Sequence, residues 1–262
     1  MRGTLVIYRR ELAGLFLAPL GWVLLFLALF ANGLFVYLLL DATRGDVGTV
    51  LRSALGGGTL FWALLVFLPP LLAMRMMAEE SRTGTLEYLL TAPVSDGAVV
   101  VGKWLAATTF LGLLWGAVPV YGVLFQLQGA SPDWGAVLAS WLGAVLASGL
   151  FMSLGLLAAT LSATPLLAAF LAFVACLGWL LLPTFGGQLL TAATGLLQGT
   201  SLAEVALPFL RSSLEGMDVL RHFHYSWRIG VLDTAEVAFF LSWPVLFLFI
   251  TVRLLEARRW RG

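Results

Sequence analysis

Long apolar runs alternate with short polar interruptions along this chain. The runs fall at about Leu20–Leu40, Thr59–Met77, Val99–Phe125, Gly135–Leu161, Leu166–Leu182 and Ala235–Leu255. At about 1.5 Å of rise per residue, each approaches or exceeds the length needed to cross a hydrocarbon core of roughly 30 Å. Ahead of the first run, residues 4–16 are amphipathic. Leu5, Tyr8, Leu12 and Leu15/Phe16 recur at steps of three and four, with Arg9, Arg10 and Glu11 off that stripe. The pattern predicts a helix lying in the membrane interface, with Pro19 as the elbow into the first span. Asp41–Gly58 reads as a polar loop, Pro69-Pro70 as a kink in the second span, and Pro183 as the end of the fifth. Residues 184–234 are semi-polar and predict an external loop with short helices. One of these covers about Ser201–Leu214, opened by the Ser201/Glu204 capping pattern.

Composition fixes the solvent. The chain has 262 residues, 60% hydrophobic and 11% charged, with a mean hydropathy of +0.96. A soluble core of this size cannot bury that much apolar surface, so the expected medium is a bilayer. A net charge of +1 gives no electrostatic case for nucleic acid. The single cysteine, Cys176, excludes an intrachain disulfide and any paired-cysteine metal site. Arg2, Arg9, Arg10 and Glu11 precede a first run too long for a signal peptide, so a retained N-terminus is expected. The whole of 1–262 reads as one all-α membrane domain.

Charge then orients it. With six spans, both termini share a side. That side holds Arg2, Arg9, Arg10, Arg75, Arg82, Lys103, Arg253, Arg258, Arg259 and Arg261, against Arg44, Arg52, Arg211, Arg221 and Arg228 on the other. The bias places both termini in the cytoplasm and 184–234 outside. Gly112/Gly116 and Gly143/Ala147, with Ala144 and Ser148 beside the latter, have the spacing that lets membrane helices approach closely. The tryptophans at 22, 62, 104, 115, 141, 179 and 243 suggest interface belts.

One stretch breaks the apolar pattern. Met74–Pro93, MRMMAEESRTGTLEYLLTAP, concentrates Arg75, Glu79, Glu80, Arg82 and Glu87 between two spans. Within it, Gly84–Thr91 predicts a short helix with Leu86, Leu89 and Leu90 on one face and Glu87 in its first turn, ended by Pro93. Such a helix either lies in the lipid interface or slots into a cytosolic partner. A phosphate loop is weighed at Gly97–Lys103, where two glycines precede a lysine at the required spacing. Trp104 stands where a magnesium-binding hydroxyl is needed, and the segment enters a span. A metal or acid–base site at His222 and His224, with Asp218 and Glu215, is a second candidate, but histidines two apart fall on different helix faces. A channel would need intramembrane charges that the spans largely lack.

The run AEESRTGTLEYLLTAPVSDGAVVVGKWLA resembles the signature region of ABC-2-type transporter permeases, and is most similar to the gliding-motility-associated (Gld-type) group. The matching positions are Met74-Arg75, Ala78-Glu79-Glu80, Gly84-Thr85, Glu87, Leu89-Leu90-Thr91, Pro93, Ser95-Asp96 and Gly102-Lys103. YRRELAGLFLAPLGWV at the start and HFHYSWRIGVLDTAEVAFFLS toward the end extend the likeness over essentially the whole chain. The resemblance implies six transmembrane helices of the ABC-2 (type V exporter-like) kind, with an N-terminal interfacial helix, a cytoplasmic coupling helix between spans two and three, and short re-entrant helices before span six. It implies a bacterial or archaeal cytoplasmic membrane. It also implies no catalytic residue, metal or cofactor in this chain: ATP and Mg belong to a separate ATPase subunit. Two copies of that subunit would dock on the coupling helices of two permease chains, identical or paralogous. On this reading Gly84, Thr85, Leu86, Glu87, Leu89, Leu90, Thr91 and Pro93 receive the ATPase. Arg75, Glu79, Glu80 and Arg82, with Arg9 and Arg10, anchor span two to the N-terminal helix, Pro69 and Pro70 form the kink, and His222, His224, Tyr225 and Trp227 are external gate candidates. The alternative is a mechanotransmission subunit that passes ATP-driven motion to an auxiliary membrane protein with a periplasmic domain and transports nothing itself.

Overall fold

The computed structural model describes residues 2–79, 95–162, 164–196 and 201–259. Its elements are α1 (Arg2–Leu17), α2 (Pro19–Ala42), α3 (Val47–Arg52), a wide π-type segment (Ser53–Gly57), α4 (Thr59–Ala73), a second π-type turn (Met74–Glu79), α5 (Asp96–Trp115), α6 (Ala117–Leu127), α7 (Trp134–Thr160), α8 (Pro165–Leu196), α9 (Ser201–Glu215), α10 (Val219–Tyr225), a 3₁₀ turn (Trp227–Ile229) and α11 (Thr234–Arg259). Six stretches are long and apolar enough to cross a membrane: Pro19–Ala42, Val47–Met77, Asp96–Leu127, Trp134–Thr160, Pro165–Ala192 and Thr234–Ala257. Among the described residues every regular element is helical.

The bundle is built around α7, the most buried span, which packs against α4, α5, α8 and α11. Small residues make this possible. Gly143, Ala144, Ala147, Ser148, Gly149, Ser153 and Gly155 are all buried along α7. At Gly155 a methyl group would sit 3.5 Å from the Pro69 carbonyl oxygen, so α4 and α7 are in backbone contact beside the proline pair. That contact matters because Pro69 and Pro70 donate no N–H, which leaves carbonyls one turn earlier without their helical partners.

Four expectations fail here. Asp41–Gly58 is not an open polar loop. Asp46 caps α3 through Thr49, and Val50, Leu51, Ala54 and Leu55 are fully buried. Apolar residues at three- and four-residue steps within this segment pull it into the bundle. Pro183 does not end the fifth span: α8 continues through it to Leu196, so the first part of 184–234 extends a span rather than forming short helices. A proline inside a membrane helix is tolerated where neighbouring groups satisfy the freed carbonyl. The tryptophans do not all line interfaces. Trp22 is exposed, but Trp115 is wholly buried. Trp115 Nε1 donates to Ser148 Oγ at 2.9 Å, Trp104 Nε1 to the Gly149 carbonyl at 2.7 Å and Trp141 Nε1 to the Gly112 carbonyl at 3.1 Å. These indoles join α5 to α7 in the apolar interior, where an unpaired N–H is costly. The fourth departure concerns one end of the α1 stripe. Leu15 is buried and Tyr8, Leu12 and Phe16 pack on the core as expected. Leu5, however, is 50% exposed, and Ile7 and Glu11 also turn inward.

Candidate functional site

Two ends of the bundle carry polar chemistry. At the end bearing α1, the coupling segment proposed from sequence enters and leaves the bundle. Glu80, Arg82, Gly84, Thr85, Leu86, Glu87, Leu89, Leu90, Thr91 and Pro93 all lie outside the described residues, so only their mounting is described. On one side α4 runs into the π-type turn Met74–Glu79, which packs against α7 and α8. On the other side Ser95 caps α5 by accepting from the Ala98 N–H at 3.3 Å.

α1 is locked onto that start of α5. Gly102 has Ile7 and the Thr4 carbonyl where a side chain would be. Lys103 has no solvent exposure, and its Nζ donates to Glu11 Oε1 at 2.9 Å. Glu11 also accepts from Arg10 at 2.6 Å. Phe16 and Phe110 rings meet at 5.4 Å. The inward rotation of α1 follows from this pair. A lysine buried in a span needs a counter-charge, and Glu11 stands one turn from Ile7 and one from Leu15 on the same face. The sequence signal for it was an acid in the first helix and a lysine near the start of the third span. Arg75 makes a long 3.5 Å contact to the Gly14 carbonyl, which brings the end of α4 to α1. Arg9 is exposed and Arg10 is shared with Glu11.

At the opposite end, residues 218–230 form a cap seated between α7, α11 and the Ser53–Gly57 segment. Asp218 starts α10 by accepting from the Arg221 N–H at 3.1 Å. Phe223 is buried against Phe61 and Trp62, at centroid distances of 5.5 and 5.4 Å. Trp227 is fully buried over Gly143, and its carbonyl accepts from Ser140 Oγ at 3.0 Å. Gly230 has φ +84° and lies against the Ala136 backbone, an approach that a side chain would block. The four external gate candidates therefore part company. His224 Nε2 donates to the Gly56 carbonyl at 2.8 Å, and Trp227 is core. His222 Nδ1 meets Glu236 Oε2 at 2.7 Å while its ring stacks on Phe239 at 3.9 Å. Tyr225 is 72% exposed. His222 and His224 turn to different partners, and no group of three metal-ligating side chains occurs among the described residues.

Beside the cap, a recess of about 610 Å³ is lined by Ser212, Glu215, Arg221, His222, Tyr225 and Glu236. The hydrogen bond from Arg221, then that from Arg211, holds the Glu215 carboxyl below the ordinary glutamate value of 4.5. A depressed folded value contributes stability above the ordinary value, and the contribution is lost as pH falls through the lower folded one. Glu215→Gln should therefore flatten the acid side of a thermal-stability profile below about pH 4.5. An unchanged acid limb would show that the two arginines do not hold this acid.

The family model for ABC-2 family transporter proteins matches residues 17–177, more than half of the chain, spanning α2 through the first half of α8. The chain belongs to that family. It is a multi-pass membrane protein and the transmembrane subunit of an ABC transporter, a kind of permease that is not itself the catalyst and works with an ABC ATPase. A comparison with curated proteins gave no match. The matched region includes both mountings of 80–94 and excludes the 218–230 cap.

Proposed function

We propose that this ABC-2 permease couples ATP hydrolysis on a separate ATPase subunit to export of a substrate across the cytoplasmic membrane, with both termini in the cytoplasm. Residues 84–93 receive the ATPase, one copy on each of two permease chains, and ATP and Mg sit on that subunit. The Gld-type likeness of 74–103 and the basic bias toward the terminal side support this placement. An auxiliary membrane protein with a periplasmic domain fits the same group.

The observation that carries the reading is how 80–94 is mounted. Its entry is the Met74–Glu79 turn at the foot of α4, and its exit is the start of α5, where Glu11–Lys103 and Ile7–Gly102 bind α1. A push on this stretch would meet α4 at its entry and, at its exit, α5 together with α1. α4 then carries the displacement past Pro69-Pro70 toward Gly56 and the cap.

The test is co-purification of the permease with its ATPase, wild type against Glu87→Lys. Charge reversal at Glu87, which the sequence pattern places within the docking stretch, is expected to cut ATPase recovery by about tenfold or more, since a reversed charge at an interface turns an attraction into a repulsion. Undiminished recovery, with ATPase activity still responsive to the membrane subunit, would remove the coupling assignment.

A further inference from the structure

An open groove of about 550 Å³ runs between α1 and α5, lined by Thr4, Leu5, Tyr8, Leu105 and Thr109. Its walls are mainly apolar, with Leu5 and Leu105 still partly exposed. Tyr8 and Thr109 approach through their hydroxyls at 3.4 Å across its floor. Leu105 and Thr109 belong to a helix that crosses the membrane. The groove therefore opens onto lipid along that span, and water does not fill an apolar recess there.

Charge selects among lipids. Arg9 stands one turn beyond Leu5 on α1, is exposed, and has no ion-pair partner among the described residues. Glu11 is the only acid of α1, and its carboxylate is turned inward to Lys103. Arg10 is paired with Glu11, so the outward side of α1 presents the Arg9 guanidinium among apolar groups such as Val6 and Leu17. An apolar slot on a span beside an exposed guanidinium is complementary to an amphiphile with a hydrocarbon tail and an anionic head.

We propose that this groove is a binding site for an anionic phospholipid, one acyl chain lying along Leu5, Tyr8 and Leu105 and the phosphate paired with Arg9. The bound lipid bridges α1 and α5, the two helices that the Glu11–Lys103 pair joins, so it fastens the same joint.

The test uses the full chain, purified in detergent, with native mass spectrometry as readout. Phosphatidylglycerol, phosphatidylcholine with the same acyl chains, and inorganic phosphate are added separately. Wild type should retain phosphatidylglycerol over phosphatidylcholine by about fivefold, the selectivity of one basic side chain at a membrane surface, and inorganic phosphate should leave no adduct. Arg9→Gln should abolish the preference while keeping some of both lipids. Leu105→Trp, which fills the groove, should deplete both. Leu113→Trp, at an exposed α5 position outside the groove, should change neither. Equal retention of the two phospholipids by wild type, an unchanged preference in Arg9→Gln, or equal depletion by Leu113→Trp would overturn the proposal and leave only unspecific annular lipid. Phosphate binding equal to that of phosphatidylglycerol would overturn the acyl-chain slot.

Discussion

Glu11→Leu should destabilise the folded protein by about 3 kcal/mol, the scale on which one partner is lost from a buried ion pair. Lys103 has no exposure and Glu11 very little, so neither charge regains water when the other goes. Lys103 and Arg10 have further interactions, which hold the loss toward the lower end of that scale. Lys103→Met in the same background should recover part of it, because the stranded ammonium is then gone and an apolar chain fills its place. A double-mutant cycle, read by unfolding in detergent, should return a coupling of at least about 1.5 kcal/mol between the two positions. Additivity within about 0.5 kcal/mol would mean that the pair contributes nothing specific and that α1 is held by its other contacts, Ile7 on Gly102 and Phe16 on Phe110 among them. The measurement also bears on function. If α1 and α5 act as one lever, Glu11→Leu should leave ATPase recovery near wild type and still lower the response of ATPase activity to the membrane subunit.

The spans were legible because apolar length is a one-dimensional signal. Each of the six stretches overlaps its predicted run, and the ends agree within three residues except the start of the second, at Val47, and the end of the fifth, at Ala192. What failed was anything decided by partners distant in sequence. Glu11 reads as a solvated face of an amphipathic helix until Lys103, 92 positions later, is known to lie beneath it. The 41–58 stretch reads as polar because it contains Asp41, Arg44, Asp46 and Arg52. Its apolar positions nevertheless find α6, α7 and the cap. Pro183 reads as a stop because local rules count its missing N–H, while the apolar sequence on both sides keeps α8 continuous. The histidines are a more instructive case. Their two-residue spacing argued against a shared ligand, and they do turn to separate partners. Nothing in HFHYSW, however, pointed to Gly56, 168 residues earlier, as the acceptor for His224.

Gly56→Ala should be among the most damaging single-atom additions in the chain, costing about 4–7 kcal/mol. Two effects combine. Gly56 has φ +102°, a conformation that costs an L-residue roughly 1–2 kcal/mol. The added carbon would also fall 2.6 Å from Phe223 Cζ, with the Cε1 atom closer still. Phe223 cannot shift sideways, because Phe61, Trp62 and Phe240 surround it. The ring must leave its slot, and displacing a buried aromatic is worth about 3–5 kcal/mol. Leaving also breaks the registry that puts the Gly56 carbonyl within reach of both Trp62 Nε1, at 2.9 Å, and His224 Nε2, at 2.8 Å. Phe223→Ala alone should cost a similar amount by emptying the slot. Together the substitutions should cost clearly less than their sum, since the second removes the clash created by the first and leaves chiefly the backbone strain. Strict additivity in unfolding midpoints would mean that ring and glycine do not meet, and the seating of the cap on α4 would have to be assigned to Trp227 over Gly143 instead. The non-additive result would tie the cap, through one glycine of the Ser53–Gly57 segment, to the start of α4, which is the contact the proposed coupling needs if motion entering at the far end of α4 is to reach the cap.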